Sequence, residues 1–176
     1  MGGAVALWML LMFGQEPEKW TGVILLAPMC KIADEMMPHN AVISILVAMS
    51  GFVPTWPIVP SPNVVNKAFR DPKYLALVKQ SPYYVDYPPR IQTAVELLEA
   101  TILIDAKMEK ITAPFLVLHG EADKVTDPKM SKELYERSPS KDKTLKLYPN
   151  VWHSIFEDPE GEQAWQDTFN WIKERL

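Results

Sequence analysis

The sequence predicts an α/β chain with a parallel sheet, and three observations carry that expectation. Short apolar or β-prone runs, TGVILLAP, PFLVLHG and TLKLYPN, are each followed by turn residues, and the last two lead into amphipathic segments. The first two runs are apolar without alternation, as strands covered on both faces are. A chain of 176 residues at 48% hydrophobic and 23% charged is long enough to enclose one core.

The elements follow in order. Met1 to Phe13 is apolar nearly all round, through Ala4, Val5, Leu7, Trp8, Leu10 and Leu11, and predicts a helix from Gly3 to about Phe13 enclosed on every side. It is too short to span a bilayer, for which roughly 20 apolar residues are needed, and it has no basic flank or small-residue cleavage site. Gly2 and Gly3 running straight into this stretch read as an interior portion of a fold. Pro17 to Trp20 predicts a polar turn before the TGVILLAP strand.

From Met29 to about Asp105 nine prolines punctuate short helical patches, which predicts a helical insertion. VVNKAFRDPKYLALVKQ is amphipathic at helical spacing, and RIQTAVELLEATILI places Ile91, Ala94, Val95 and Leu98 on one face. Met29, Met36, Met37, Met49, Phe52, Val53 and Trp56 give the insertion an adaptable apolar surface, read first as ordinary core and second as a ligand groove.

PFLVLHG begins the second strand, and DPKMSKELYERS a helix with Asp127 at the N-cap and Pro128 at the first helical position. TLKLYPN predicts the third strand. DPEGEQAWQDTFNWIKERL closes the chain as a helix with Trp165, Phe169, Ile172 and Leu176 on one stripe and Lys173 and Arg175 near its C-terminus.

A net charge of −4 gives no electrostatic reason to bind nucleic acid or an anionic membrane. The single cysteine, Cys30, cannot form an internal disulfide, which favours a reducing, cytoplasmic setting.

Two loops carry candidate chemistry. HGEADKVTD follows the second strand and NVWHSIF the third, so both stand at the C-terminal edge of a parallel sheet, where catalytic groups collect. They offer Asp123 and His153. A carboxylate bonded to one imidazole nitrogen fixes the tautomer and leaves the other nitrogen to accept a proton from a nucleophile. Taken in isolation, such a pair is more often structural. His119 reads as structural, and His39 has no acidic or serine companion near it in sequence. Ser44, Ser50, Ser61, Ser81, Ser131, Ser138, Ser140 and Ser154 lack the glycine flanks of a sharp nucleophile turn. Ser154 stands beside His153, where adjacent extended residues point apart.

MGGAVAL, VILLAPM, FLVLHGEAD, DKTLKLYPNVWH and the closing helix, in that order, resemble the α/β-hydrolases of the monoacylglycerol lipase type. Plant enzymes acting on lysophospholipids or caffeoyl-shikimate esters are among them. The resemblance runs from first residue to last. It implies part of an α/β-hydrolase fold, with the later parallel strands and flanking helices in residues 1–28 and 106–176 and a helical cap in residues 29–105. It also implies Asp123 as the acidic triad member, His153 as the general base and the backbone amide of Met1 as an oxyanion donor. The serine of the family's G-x-S-M-G-G would directly precede Met1, so the chain alone is expected to be inactive.

The activity so implied is hydrolysis of a monoacylglycerol or lysophospholipid through an acyl-enzyme, with a hydroxycinnamoyl ester as the alternative substrate. No cofactor or metal is implied. A small ester, lipid in character, is the expected partner, with peripheral membrane contact through the cap and no defined protein partner. A non-catalytic ligand-binding or partner module is the competing reading. The earlier strands of the family would lie outside the chain, which predicts an open apolar strand edge and uncovered apolar faces.

Overall fold

The computed structural model describes residues 1–14, 16, 20–32, 37–60 and 64–176. Pro17, Met36, Ser61 and Pro62 lie outside the described residues, and with them most of the expected Pro17 to Trp20 turn. Three strands, β1 (Val23–Leu26), β2 (Phe115–Gly120) and β3 (Lys143–Tyr148), form a parallel sheet in the order β1, β2, β3. The register pairs Leu25 with Val117, and Val117 with Leu145.

β2 is central and buried at every residue. Its alternation divides the core between the two faces of the sheet. Phe115 and Val117 join Leu25 and, from the helices, Leu7, Leu10, Ile104 and Leu134. Leu116 and Leu118 join Tyr148, Val151, Ile155, Ala164 and Trp171 on the other. Fully burying one such leucine or phenylalanine contributes roughly 1.5–3 kcal/mol, so β2 anchors the unit. Gly22 stands just before β1 at φ 156°, and a Cβ there would lie 2.3 Å from the Trp171 ring, so both backbone and space call for glycine.

Helix α1 (Gly2–Phe13) ends at Gly14, as expected, but it is not enclosed all round. Ala4, Leu7 and Leu10 face the sheet and are buried, whereas Val5, Met9, Met12 and Phe13 are exposed. The reason is that β1 and one later helix are its main neighbours, and they cover a single face. Leu26 at the end of β1 is likewise exposed, and among the described residues β1 pairs only with β2. The strand is therefore not covered on both faces along its whole length.

Between β1 and β2, in the stretch expected to be an insertion, lie α2 (Asn40–Ser50), α3 (Val65–Ala68), α4 (Pro72–Gln80) and α5 (Ile91–Asp105). VVNKAFRDPKYLALVKQ forms two helices, because Phe69 and Asp71 adopt extended backbone and Pro72 starts a new helix capped by the Asp71 carboxylate. α5 buries Ile91, Val95 and Leu98 as expected and extends the stripe to Ile104. Of the apolar surface expected to be ordinary core, Met29 packs against the core and Met37, Met49 and Val53 are half-buried. α2 buries no side chain, and Phe52 and Trp56 after it are exposed, because among the described residues α2 packs mainly on α5.

A 3-10 turn at Met108–Lys110 leads to β2, and α6 (Pro128–Arg137) joins β2 to β3. Its Asp127 cap accepts from the Lys129 amide at 2.9 Å, as the sequence predicts. The last helix, α7 (Glu162–Lys173), differs from expectation in its buried face. Ala164, Thr168 and Trp171 are buried, while Trp165 and Phe169 are exposed and Leu176 lies beyond the helix. Of the expected stripe, Ile172 packs against the core, and Trp165 stacks at 4.0 Å between ring centroids on Phe156, which also packs against it.

Candidate active site

The two loops predicted to carry chemistry meet at the C-terminal ends of β2 and β3. Glu121 N donates to Tyr148 O at 2.8 Å, and Ala122 N to Val151 O at 3.2 Å, so the loop after β2 is laced to the loop after β3. Gly120 permits this approach. A Cβ at that position would lie 2.1 Å from Val151 O and 2.8 Å from Trp152 O.

His153 Nδ1 stands 2.8 Å from Asp123 Oδ2, which brings the two predicted residues together. The Asp123 carboxylate is fully buried, whereas the His153 side chain keeps about a quarter of its surface. Oδ1 of Asp123 accepts from the amides of Val125 at 2.7 Å and Thr126 at 3.1 Å. Oδ2 also accepts from Thr126 Oγ1 at 2.8 Å and lies 3.2 Å from His119 Nε2. Burial by itself would raise the pKa of this carboxyl, but the hydrogen bonds from His119 and His153 outweigh it and hold the group well below the usual carboxylate range. Asp123 is therefore ionised at neutral pH. Nε2 of His153 makes no hydrogen bond among the described residues.

Sequence reasoning missed three contributors. His119 has no exposed surface, and its Nδ1 lies 2.7 Å from Ser131 Oγ while Nε2 faces Asp123. The arrangement fits a hydroxyl donating to Nδ1 and an N–H donating from Nε2. The spacing of four from His119 to Asp123 was the available signal, but the expectation for His119 stopped at a structural role. Thr126, which gives amide and hydroxyl to the same carboxylate, had no signal beyond the turn composition of DKVTD. Gly120 was legible only as punctuation.

Met1 is the N-cap position of α1. That end of the helix is close to the loop after β1, since a Cβ on Gly3 would lie 2.8 Å from Pro28. The carbonyl oxygen of the preceding Ala27, in left-handed backbone at φ 41°, lies 3.3 Å from Thr126 Oγ1. A chain of contacts thus links the start of α1 to the Asp123 and His153 pair on one sheet edge. His39 caps α2 by accepting from the Ala41 amide and takes no part in this cluster. Among the described residues no serine hydroxyl bonds to His153, and Ser154 instead donates its amide to Ala68 O at 3.0 Å.

Residues 1–160 match the sequence model of Hydrolase_4, described as serine aminopeptidase, S33. The chain belongs to this family. It is 37% identical over 179 aligned residues to caffeoylshikimate esterase of Arabidopsis thaliana, covering all of this chain and 53% of the relative. It is 28% identical to monoglyceride lipase of Rattus norvegicus, covering all of this chain and 57% of that one. The chain spans a little over half the length of these two curated relatives. A crystal structure of the Paleococcus ferrophilus monoacylglycerol lipase superposes with a TM-score of 0.84 at 22% identity, over 99% of this chain and 65% of the other. A soluble variant of the Saccharomyces cerevisiae monoglyceride lipase, in complex with a substrate analog, gives 0.80 at 22% identity over 99% of this chain and 62% of that structure. These two likenesses establish the fold, with three parallel strands of the α/β-hydrolase sheet and their flanking helices present in the chain.

Proposed function

We propose that the chain supplies the general base, His153, and its acidic partner, Asp123, to a serine carboxylic-ester hydrolase. The observation that carries the reading is the 2.8 Å contact from Asp123 Oδ2 to His153 Nδ1, with Nε2 left free of protein hydrogen bonds among the described residues. In the order of events, a serine hydroxyl attacks the ester carbonyl while its proton passes to Nε2. Ionised Asp123 stabilises the imidazolium. The negative charge develops on the carbonyl oxygen, where the backbone amide at the position of Met1 would donate. Collapse of this intermediate expels the alcohol, which takes the proton from Nε2 and leaves an acyl-serine. Water then attacks the acyl group by the same route, and the serine is restored.

In this reading the attacking serine is the residue directly before the position of Met1. Losing a triad nucleophile lowers kcat on the order of 10⁶. The substrate class proposed is a monoacylglycerol or lysophospholipid, because Val42, Ile45 and Val47 on α2 and Phe52 and Trp56 after it are exposed apolar groups suited to an acyl chain or to peripheral contact with a lipid surface. A hydroxycinnamoyl ester is the second reading, favoured by the 37% identity to caffeoylshikimate esterase.

The test joins the chain to an upstream half carrying the serine and compares hydrolysis of a long-chain monoacylglycerol with that of a hydroxycinnamate ester. His153→Ala should abolish whichever activity is present. Persistence of either would remove His153 from its role.

A further inference from the structure

We infer that Arg70, in the insertion, is a positioning residue for His153, acting through the buried carboxylate of Asp158. The inference rests on the catalytic reading of His153. That histidine stands in a long connection, residues 149–161, between β3 and α7, and a segment of this length needs fixed points if its imidazole is to stay in register with Asp123.

The fixed points bracket His153 on both sides. Trp152 N, immediately before it, donates to Asp158 Oδ2 at 3.1 Å. Ser154 N, immediately after it, donates to Ala68 O at the end of α3 at 3.0 Å. The Asp158 side chain has no exposed surface, and its other oxygen accepts from the Glu160 amide at 3.1 Å and forms an ion pair with Arg70 Nη2 at 2.8 Å. Arg70 also donates from Nη1 to Asn150 O at 3.0 Å. One guanidinium therefore ties together a carbonyl three residues before His153 and a carboxylate five residues after it.

The chemistry favours arginine. A buried carboxylate that holds backbone amides is tolerable only with a counter-charge, and removing one partner of such a pair is strongly unfavourable. Lysine offers a point charge on a flexible stem, whereas the planar fork reaches two acceptors at once. The local backbone presents the side chain, since Arg70 lies in the break between α3 and α4, next to Phe69 in extended conformation. The additional contact to Glu160 Oε1 at 3.0 Å involves a half-exposed carboxylate and belongs to the rim, where an ion pair adds little.

The experiment uses the 176-residue chain and two readouts that do not involve ester hydrolysis. Amide hydrogen exchange is followed at Trp152 and Ser154, with Val117 in β2 as the reference for global opening. The Nδ1 proton of His153 is followed by NMR, where a hydrogen bond to a carboxylate moves it far downfield. Arg70→Met, which keeps the apolar stem, should accelerate exchange at Trp152 and Ser154 by roughly tenfold or more, the factor for losing one charge-assisted hydrogen bond. Val117 should be unaffected and the His153 proton broadened. Arg70→Lys should give intermediate rates.

Unchanged exchange at Trp152 and Ser154 in Arg70→Met overturns the inference, as does an equal acceleration at Val117, which means global destabilisation. If Arg70→Met does not fold, Arg70→Lys carries the test, and wild-type rates with an unshifted His153 proton overturn it. Failure here leaves the hydrolase reading intact. Failure of the His153→Ala activity test leaves the tie between the insertion and the loop standing.

Discussion

Replacing Asp123 by asparagine changes one atom and one charge at the most heavily bonded side chain of the site, and the outcome can be worked from the contacts. Oδ1 accepts from the Val125 and Thr126 amides, and an asparagine carbonyl in that position keeps both bonds. Oδ2 faces three groups, Thr126 Oγ1 at 2.8 Å, His153 Nδ1 at 2.8 Å and His119 Nε2 at 3.2 Å. An NH₂ there opposes donors with donors unless both imidazoles change tautomer and the hydroxyl rotates. His119 cannot do so without disturbing its bond to Ser131. Two charge-assisted bonds, each contributing about 1.5–3 kcal/mol, are weakened or lost, partly offset by relief of the buried charge, so the expected loss of stability is about 2–4 kcal/mol at neutral pH.

The pH dependence has a definite sign. Because the folded state holds this carboxyl below its ordinary range, its contribution is fully present above the ordinary carboxylate pKa of about 4 and is lost as pH falls below that value. Urea denaturation of wild type and Asp123→Asn at pH 7 and at pH 3 checks both points, the difference shrinking on acidification. A difference under about 0.5 kcal/mol at pH 7, or one that grows in acid, would refute the reasoning, since surface substitutions alone fall within that range. In the completed hydrolase the same substitution should lower kcat by about 10⁴ through the wrong tautomer of His153.

Two further outcomes follow from close packing and burial. Gly120→Ala puts a methyl 2.1 Å from Val151 O, a backbone atom that can move only with the loop bearing His153, so a loss of about 1–3 kcal/mol and displacement of His153 from Asp123 are expected, read by denaturation and by the His153 Nδ1 proton. Wild-type values for both would contradict this. Cys30 is buried without exposed surface, and burial, with Glu133 adding to it, pushes its thiol up to about 12. Its reaction with iodoacetamide at pH 8 should therefore await unfolding, and alkylation of the folded chain at a free-thiol rate would disprove the burial.

The fold class and the pair at its centre were legible in the sequence because both are local in origin. Uninterrupted apolar runs marked β1 and β2, the Asp-Pro signal fixed the start of α6, and turn residues at strand ends put Asp123 and His153 on one edge. What periodicity could not decide was which apolar face meets a neighbour. α1, α2 and α7 each carry more apolar surface than their neighbours cover, so Trp165 and Phe169 are exposed although they share an apolar stripe with Ile172.

The sequence by itself thus determined a parallel α/β chain, its helix starts, and an acid and a histidine at one edge of the sheet. Only the tertiary structure decided that His119 and Thr126 share the Asp123 carboxylate, that Gly120 admits the loop bearing His153, and that Arg70 reaches that loop from the insertion. The physical reason is that strand and cap signals arise within a few residues of chain. Hydrogen bonds such as that from Arg70 to Asn150, 80 residues apart, exist only once packing has brought distant backbone together.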